Sequence, residues 1–595
     1  RPGEMLAVDT STGQIENDPA IVARFVDRQP YGEWLERNLV TLDEVRQLGR
    51  RRPSTPLASR SHGDRQDAAS AQDASTPGPE HPERMGAAQR PQSKDEACLP
   101  ALEAAFGYTR EELLVVLRPM WREGREPVGS MGDDTPAAVL SKVPRPLFHY
   151  FRQRFAEVTN PPIDSLREET VMSLSQRLGR RGCYLEEKPE AARLLEIRGP
   201  ILTDEDLATL RSVGGEGDRA PDLTGQDPRL AALRTATIDC TWPVTDGVTG
   251  LRRAVARACA QAVAAACAGN TLIILSDRAV SRQRAPIPSL LAVAAVHHRL
   301  IDAGERMHAS LIVESGEPRE VHHCAALLGY GANAINPWLA FQAIGEALAE
   351  GGRHTQGLTL EEAQHNFVKA LEKGILKTMS KMGIATLDSY CGAQIFEAVG
   401  LSEELVQAAF AGTENFRLGG ITEDDLARDV LTWHRNAFPK PNAVGPDNGS
   451  ADGTMPEPKL DSYGFYKSRR GGEQHAFSPE VVRSLHEVVG LGRKAKDESP
   501  ASNGGLSAAY RDYARLVQSR APLEIRDLLA FNTEGRTPIP LAEVEPVEAI
   551  VRRFSTAAMS HGALSAEAHE ALTIAMNRLG AASNSGEGGE GPERY

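Results

Sequence analysis

The chain has 595 residues, 41% hydrophobic and 25% charged, a composition that suits globular protein with several packed cores. Its 67 Lys and Arg against 81 Asp and Glu leave a formal net charge of -14, which excludes the basic field that non-specific binding to nucleic acid or to an anionic membrane surface requires. Seven cysteines (Cys98, Cys183, Cys240, Cys259, Cys267, Cys324, Cys391) stand apart without a CxxC pair, so reduced thiols in a cytoplasmic setting are expected rather than a disulfide framework.

The sequence begins at Arg1 without a charged-then-apolar leader, and further residues are expected ahead of it. Residues 51–92 are Arg, Ser, Asp, Gln, Pro and Ala with almost no aromatic or β-branched side chain. Such a composition cannot bury enough apolar surface to offset chain entropy, which predicts a disordered linker whose arginines are the first tryptic sites. The longest apolar stretch, 255–268, is Ala-rich and broken by Arg257 and Gln261, so no membrane span is expected. Residues 439–458, rich in Pro, Gly, Asn and Asp, and the polar stretch 494–505 read as domain edges or surface insertions.

Between residues 270 and 349 the pattern predicts strands at 271–275, 310–313 and 332–335, alternating with helices at 287–300, 320–328 and 337–348. Alternation of this kind implies βαβ crossovers and a parallel sheet. Asn336 followed by Pro337 reads as an N-cap and first helical residue. Phe367, Leu371, Ile375, Met379 and Met382 recur at helical spacing up to a stop at Gly383. Ser276, Asp277, Glu314, Ser315 and Asn336 fall at the carboxyl ends of the strands, where they either cap the next helix or face a ligand. The pairs His297-His298 and His322-His323, the latter followed by Cys324, raise a metal reading. Adjacent residues on a helix point about 100° apart and cannot close on one ion, so these are expected to be structural, without stoichiometric zinc.

The last fifty residues are more specific. Ser565 reads as the N-cap of a helix whose apolar face is Ala568, Leu572, Ala575, Met576 and Leu579, with Glu567 in the first turn and Gly580 at the end. A strand through 581–584 then opens into a run of glycines from Gly586 to Gly591, ending at Tyr595 before any closing helix, so sequence is expected to follow. Ser560, Ser583, Asn584 and Ser585 are neutral donors beside backbone that glycine leaves accessible, which fits a flavin or phosphate as well as a plain surface loop.

The wording AMSHGALSAEAHEALTIAMNRLGAASNSGEGGE, from Ala558 to Glu590, closely resembles the opening of the FMN-binding domain of glutamate synthase. The resemblance extends along most of the chain in the family's order: RPGEMLAVDT and QPYGEWLE, FGYTREEL, EPVGSMGDDTP, FAEVTNPPIDSLREE, RAPIPSLLAVAAVHH, VESGEPREVHHCAALLGYGANAINPWLAF, KTMSKMGIATLDSYCGAQIFEAVGL and RRGGEQHAFSPEVV. Ala582 and Gly591 depart from the family's usual Lys or Arg and Asp.

The resemblance implies a large (alpha) subunit read in part: 1–50 as the end of a glutamine amidotransferase domain, 51–97 as linker, 98–438 as the central domain, 439–458 as linker and 459–595 as the start of the FMN-binding domain. The implied fold class is α/β, a central parallel α/β domain followed by the first βα units of a (β/α)₈ TIM barrel. It implies an enzyme that moves the amide nitrogen of glutamine, as tunnelled ammonia, to 2-oxoglutarate, where the imine is reduced with FMN hydride to glutamate. A 3Fe-4S cluster would have its ligands outside this sequence, and electrons would come from an NADPH-dependent reductase subunit or ferredoxin in an oligomer. Met559, Ser560, Ser583, Asn584, Ser585, Gly586 and Glu587 would approach the flavin or substrate; no metal ligand is assigned. Since a (β/α)₈ barrel needs all eight strands, these residues alone are expected to be inactive. Two other readings stay open: a truncated, non-catalytic scaffold, and an unrelated α/β enzyme with an anion-binding Gly-rich loop.

Overall fold

A computed structural model describes residues 4–50, 97–129, 132–155, 163–164, 166–183, 185–213, 227–352, 354–355, 357–439, 458–490, 508–559, 563–586 and 592. The expected linkers, apart from their edges, and most of the glycine run at 586–591 lie outside the described residues. The chain divides into two compact units, Arg1–Asp527 and Leu528–Tyr595.

The first unit is built on a four-stranded parallel sheet of β1 (Thr235–Asp239), β2 (Leu272–Ser276), β3 (Ser310–Glu314) and β4 (Ala334–Asn336), whose order in space is their order in the chain. Helices α1 (Thr249–Cys267), α2 (Ser289–Asp302) and α3 (Val321–Gly329) carry the three crossovers, and α4 (Trp338–Glu350) and α5 (Leu360–Met382) follow. Successive strand residues point to opposite faces. Leu272, Ile274, Ile312 and Ala334 enter a core with Val40, Val45, Leu207 and Leu210, whereas Ile273, Leu275, Leu311, Val313 and Ile335 join the main core with Leu290, Leu327 and Leu339. Burial on both faces is why β2 and β3 read as unbroken apolar runs. The expected strands and helices of this region are present, shifted by a residue or two at their ends.

α5 starts at a capping box, Thr359 with Glu362, and stops at Gly383 (φ 70°), burying Phe367, Leu371, Ile375, Met379 and Met382 as the spacing predicts. In α1 the buried stripe is Gly250, Ala254, Ala258, Ala262 and Ala266, small side chains at every fourth position that let the helix lie close to its neighbours. Asn336 corrects the sequence reading. It ends β4 rather than capping α4, and its Nδ2 donates to the Leu202 carbonyl and to Asp204 Oδ1, both at 3.0 Å.

Residues 458–490 pack within this first unit. The N–H groups of Tyr466 and Lys467 donate to Glu111 Oε1 at 3.2 and 2.8 Å, and His475 bridges Asp134 and the Gly464 carbonyl, each at 2.7 Å. All seven cysteines are described and none is in a disulfide. Among the described residues, no helix is long and apolar enough to cross a membrane.

The second unit holds short turns, a helix at Val547–Val551 and α6 (Ala566–Leu579). Two extended stubs run parallel on either side of α6, joined at the Ser555–Ala582 bridge. This is one βαβ turn, and the described residues contain no closed barrel. The expected apolar face of α6 needs correction. Leu572 and Leu579 are exposed, whereas His569 is buried and Thr573 and Met576 are half-buried, so the covered face follows 569, 573 and 576.

Candidate functional site

Two places collect chemistry at the carboxyl ends of parallel strands, one in each unit.

In the second unit the site is assembled by local rules. Ser565 Oγ accepts the Ala568 N–H at 3.3 Å, and Glu567 complements the amino end of α6. At the other end, Gly580 adopts φ 76°, its N–H donates to Asn577 O at 3.1 Å and the Ala581 N–H to Met576 O at 2.9 Å, the hydrogen-bond pair of a Schellman stop. The chain then reverses beside the stub that preceded the helix. Ala582 N–H donates to Phe554 O (3.1 Å), Thr556 N–H to Ala582 O (3.2 Å) and Met559 N–H to Asn584 O (3.0 Å). Thr556, which sequence reasoning missed, accepts the Asn584 N–H on Oγ1 at 2.9 Å. Its only signal was a β-branched polar residue in register with Asn584.

Of the residues singled out from the sequence, Met559 (buried), Asn584 (exposed), Ser585 (half-buried) and Gly586 (exposed) come together at the carboxyl end of the stub pair. Asn584 Oδ1 accepts the Gly586 N–H at 2.9 Å, a turn that places Gly586 at φ 65°, where a β-carbon is unfavourable. Ser583 turns the other way, its Oγ 3.0 Å from Thr573 Oγ1 on α6. Ser560 and Glu587 lie outside the described residues, as does Gly591. Ala582 is exposed. The Asn584 amide nitrogen and the Ser585 hydroxyl beside a side-chain-free Gly586 suit the carbonyls, ring nitrogens or phosphate of a flavin, while the N–H groups of Met559, Asn584 and Gly586 are spent on fixing the turn, so the side-chain donors present fit FMN.

In the first unit the strand ends carry a closed network. Glu314 receives Arg211 Nη1 and Nη2 (3.2 and 2.6 Å), Arg278 Nε (3.1 Å) and the Ser276 hydroxyl (2.5 Å). Burial pushes its carboxyl up, but Arg211, Ser276 and Arg278 outweigh that and hold it below the usual range. Asp277 accepts the Gly316 N–H (3.1 and 3.2 Å) and Trp338 Nε1–H (2.8 Å), and Glu317 accepts the Ser289 N–H and hydroxyl, both at 2.6 Å. Arg319 donates to Glu112, Gly107 O and Glu317 O. The side chains of Ser276, Asp277 and Glu314 therefore cross-link neighbouring strand ends and crossovers, Asn336 ties its strand to the segment at 202–204, and none of them caps the helix that follows it. For Ser276, Asp277 and Glu314 the physical reason is loop length, whereas Asn336, separated from α4 by Pro337 alone, is drawn instead to Leu202 and Asp204. Residues 277–288 and 315–320 separate strand from helix, out of reach of a cap, and the first turn of α2 is capped instead by Glu317 from the next crossover.

His322, His323 and Cys324 diverge as the helical geometry requires. His322 Nε2–H donates to the Phe148 carbonyl at 2.9 Å, His323 is fully buried and stacked on Phe148 (centroids 4.3 Å), and burial pushes the Cys324 thiol well up. His297 accepts Arg306 Nε–H on Nδ1 at 2.9 Å, and burial holds it at about 3.

Comparison with known proteins covers the same ground. Residues 101–402 match the glutamate synthase central domain and residues 496–595 the conserved region in glutamate synthase. Ferredoxin-dependent glutamate synthase 2 of Synechocystis sp. is 40% identical over 608 aligned positions, covering 100% of this chain and 34% of its own length. The glutamate synthase [NADPH] large chain of Bacillus subtilis is 37% identical, covering 100% and 33%, and glutamate synthase [NADH] of Schizosaccharomyces pombe is 37% identical, covering 100% and 25%. The recombinant flavin-binding domain of baker's yeast flavocytochrome b2 aligns with 56% of this chain and 87% of its own at 10% identity, with a TM-score of 0.27, too low to bear on the fold. The chain spans about a third or less of the relatives it matches. Its full coverage by these relatives, with both family regions in order, makes it a member of the glutamate synthase family.

Proposed function

We propose that these residues are the middle portion of a glutamate synthase large subunit, the enzyme that transfers the amide nitrogen of glutamine to 2-oxoglutarate and yields two glutamates. The observation that carries this reading is the parallel turn 554–586, which brings Met559, Asn584, Ser585 and Gly586 to one strand end within the region matched to the family. The side chains of Asn584 and Ser585 would hold FMN, with Ser560 and Glu587 as further contacts, and FMN when bound supplies hydride to the carbon that receives nitrogen. Gly586 keeps the backbone open to approach, and the Asn584 side chain fixes the turn by accepting the Gly586 N–H, so the donors are oriented before a ligand arrives. Ser583 and Thr573 tie α6 to the second stub and keep that end rigid.

The first unit acts as a frame. Its sheet is buried on both faces and its strand ends are locked by Glu314, Asp277 and Arg319, which suits a domain that holds distant sites in register while ammonia passes protected from water. The domain divisions drawn from the sequence, a cytoplasmic oligomer, a 3Fe-4S cluster ligated elsewhere, and ferredoxin or an NADPH-dependent reductase as electron donor belong to the same proposal. The test is protein expressed from the reading frame that contains these residues, supplied with glutamine, 2-oxoglutarate and each donor in turn. Donor-dependent glutamate formation is expected. A folded, flavin-containing protein that makes none with any donor contradicts the reading.

A further inference from the structure

The first unit brings His149 beside Glu320 and His323, two ligating side chains one helical turn apart and more than 170 residues further along the chain. His149 lies in the turn Leu147–Tyr150, Glu320 immediately precedes α3, and His323 follows one helical turn later. One nitrogen or oxygen from each lies within 4.8 Å of the other two. Glu320 Oε1 is 3.0 Å from His323 Nε2 and 4.0 Å from His149 Nε2. Ligands held at about 2.0–2.1 Å around a tetrahedral zinc stand about 3.3 Å from one another, so these separations bracket what one ion needs.

The hydrogen bonding of His323 points the same way. Its side chain is fully buried, neither ring nitrogen has a hydrogen bond of good geometry, and Nε2 meets Glu320 Oε1 as an ion-pair contact at 3.0 Å. A buried imidazole with so little hydrogen bonding is unfavourable unless something else engages it, and the stacked Phe148 ring fixes its position beside Glu320 and His149. His149 and Glu320 keep about a quarter of their side-chain surface exposed, which leaves a route for an ion and room for water as a further ligand. Neighbouring helical residues do diverge, with His322 facing the Phe148 carbonyl, but the sequence-based expectation of no stoichiometric zinc is reversed for His323, because a further ligand comes from another segment.

We propose that His149, Glu320 and His323 form a binding site for one divalent transition-metal ion of the zinc class, two imidazoles and a carboxylate with an open position. The ion would tie the 147–150 turn to the start of α3, a structural link that does not depend on the flavin reading. The probe is Zn²⁺ alone, with Co²⁺ as its spectroscopic substitute, added to the intact protein after chelator treatment and removal of excess metal. The expected result is one Zn²⁺ retained per chain, lost by at least tenfold in His149→Ala and in Glu320→Gln but unchanged in His322→Ala, with equal far-UV circular dichroism throughout. X-ray absorption of the unmutated zinc form should show two imidazole ligands, a readout that does not depend on any variant folding. Less than one ion in ten chains, equal retention by His149→Ala, or a zinc spectrum with sulfur ligands overturns the proposal.

Discussion

Alanine at Gly374 is expected to loosen the packing of α5 on α3. An added β-carbon would stand 2.2 Å from Cγ2 and 2.8 Å from Cγ1 of Val321, where carbons in contact keep about 3.5–4.0 Å. Leu371 and Ile375 are buried on either side of Gly374, so α5 cannot step back without opening those contacts too. Overpacking of this kind costs about 1–3 kcal/mol. Replacing glycine inside a helix returns about 0.8–1.0 kcal/mol, which leaves a net loss of about 0–2 kcal/mol, toward the upper end given the 2.2 Å approach. Val321→Ala removes both clashing methyl groups and leaves its β-carbon at 3.1 Å. In that background Gly374→Ala should become neutral or stabilising by up to about 1 kcal/mol. Hydrogen exchange read by mass spectrometry on the 321–329 and 360–382 peptides follows this locally, since about 1.4 kcal/mol of lost protection is tenfold faster exchange. Slower exchange in Gly374→Ala alone, or strictly additive effects in the double variant, would refute the reasoning.

Arg319→Met leaves the buried Glu112 carboxylate and the Gly107 carbonyl without their guanidinium, so urea unfolding should register a loss of about 3–5 kcal/mol; adding Glu112→Gln should recover part of it. Burial raises the Glu372 carboxyl from 4.5 to about 7. The folded state therefore holds this proton more tightly than the unfolded chain, and stability falls as pH rises through that window. Glu372→Gln should match the parent below the window and exceed it increasingly above, by up to about 3 kcal/mol, and parallel stability profiles in urea would contradict this. Ser565→Ala removes the cap at the start of α6 and should speed exchange in its first turn by about 1 kcal/mol of protection, with the 360–382 peptide unchanged as the internal control.

The sheet was legible wherever burial on both faces made its strands continuous apolar runs, as in 272–276 and 310–314. Thr235–Asp239 gave no such signal, because it is an edge strand with half-covered polar positions. Caps that act within one helix turn, Ser565 and Gly383, were readable because their partners lie three residues away or in the same turn. The roles of Asp277, Glu314 and Glu317 were not, since each is decided by a partner 28 to 103 residues distant. In the candidate site the turn at Asn584 and Gly586 follows from local residue chemistry, whereas the outward turn of Ser583 and the part played by Thr556 depend on strand register. His149 could not be tied to His323 by any spacing rule, as the two meet only through the packing of separate segments.

The most direct test of the account compares bound flavin with glutamine hydrolysis in the intact protein carrying Asn584→Leu or Gly586→Val. A β-branched residue at φ 65° is strained by about 1–3 kcal/mol, and leucine at 584 removes the side-chain oxygen that accepts the Gly586 N–H. Flavin per chain, read from its absorbance at saturating protein, should fall about tenfold or its dissociation constant rise as much, while glutamine hydrolysis stays near the parent rate. Unchanged flavin content in both variants, or loss of glutamine hydrolysis in step with flavin, would contradict the assignment of residues 554–586 to the wall of a flavin site.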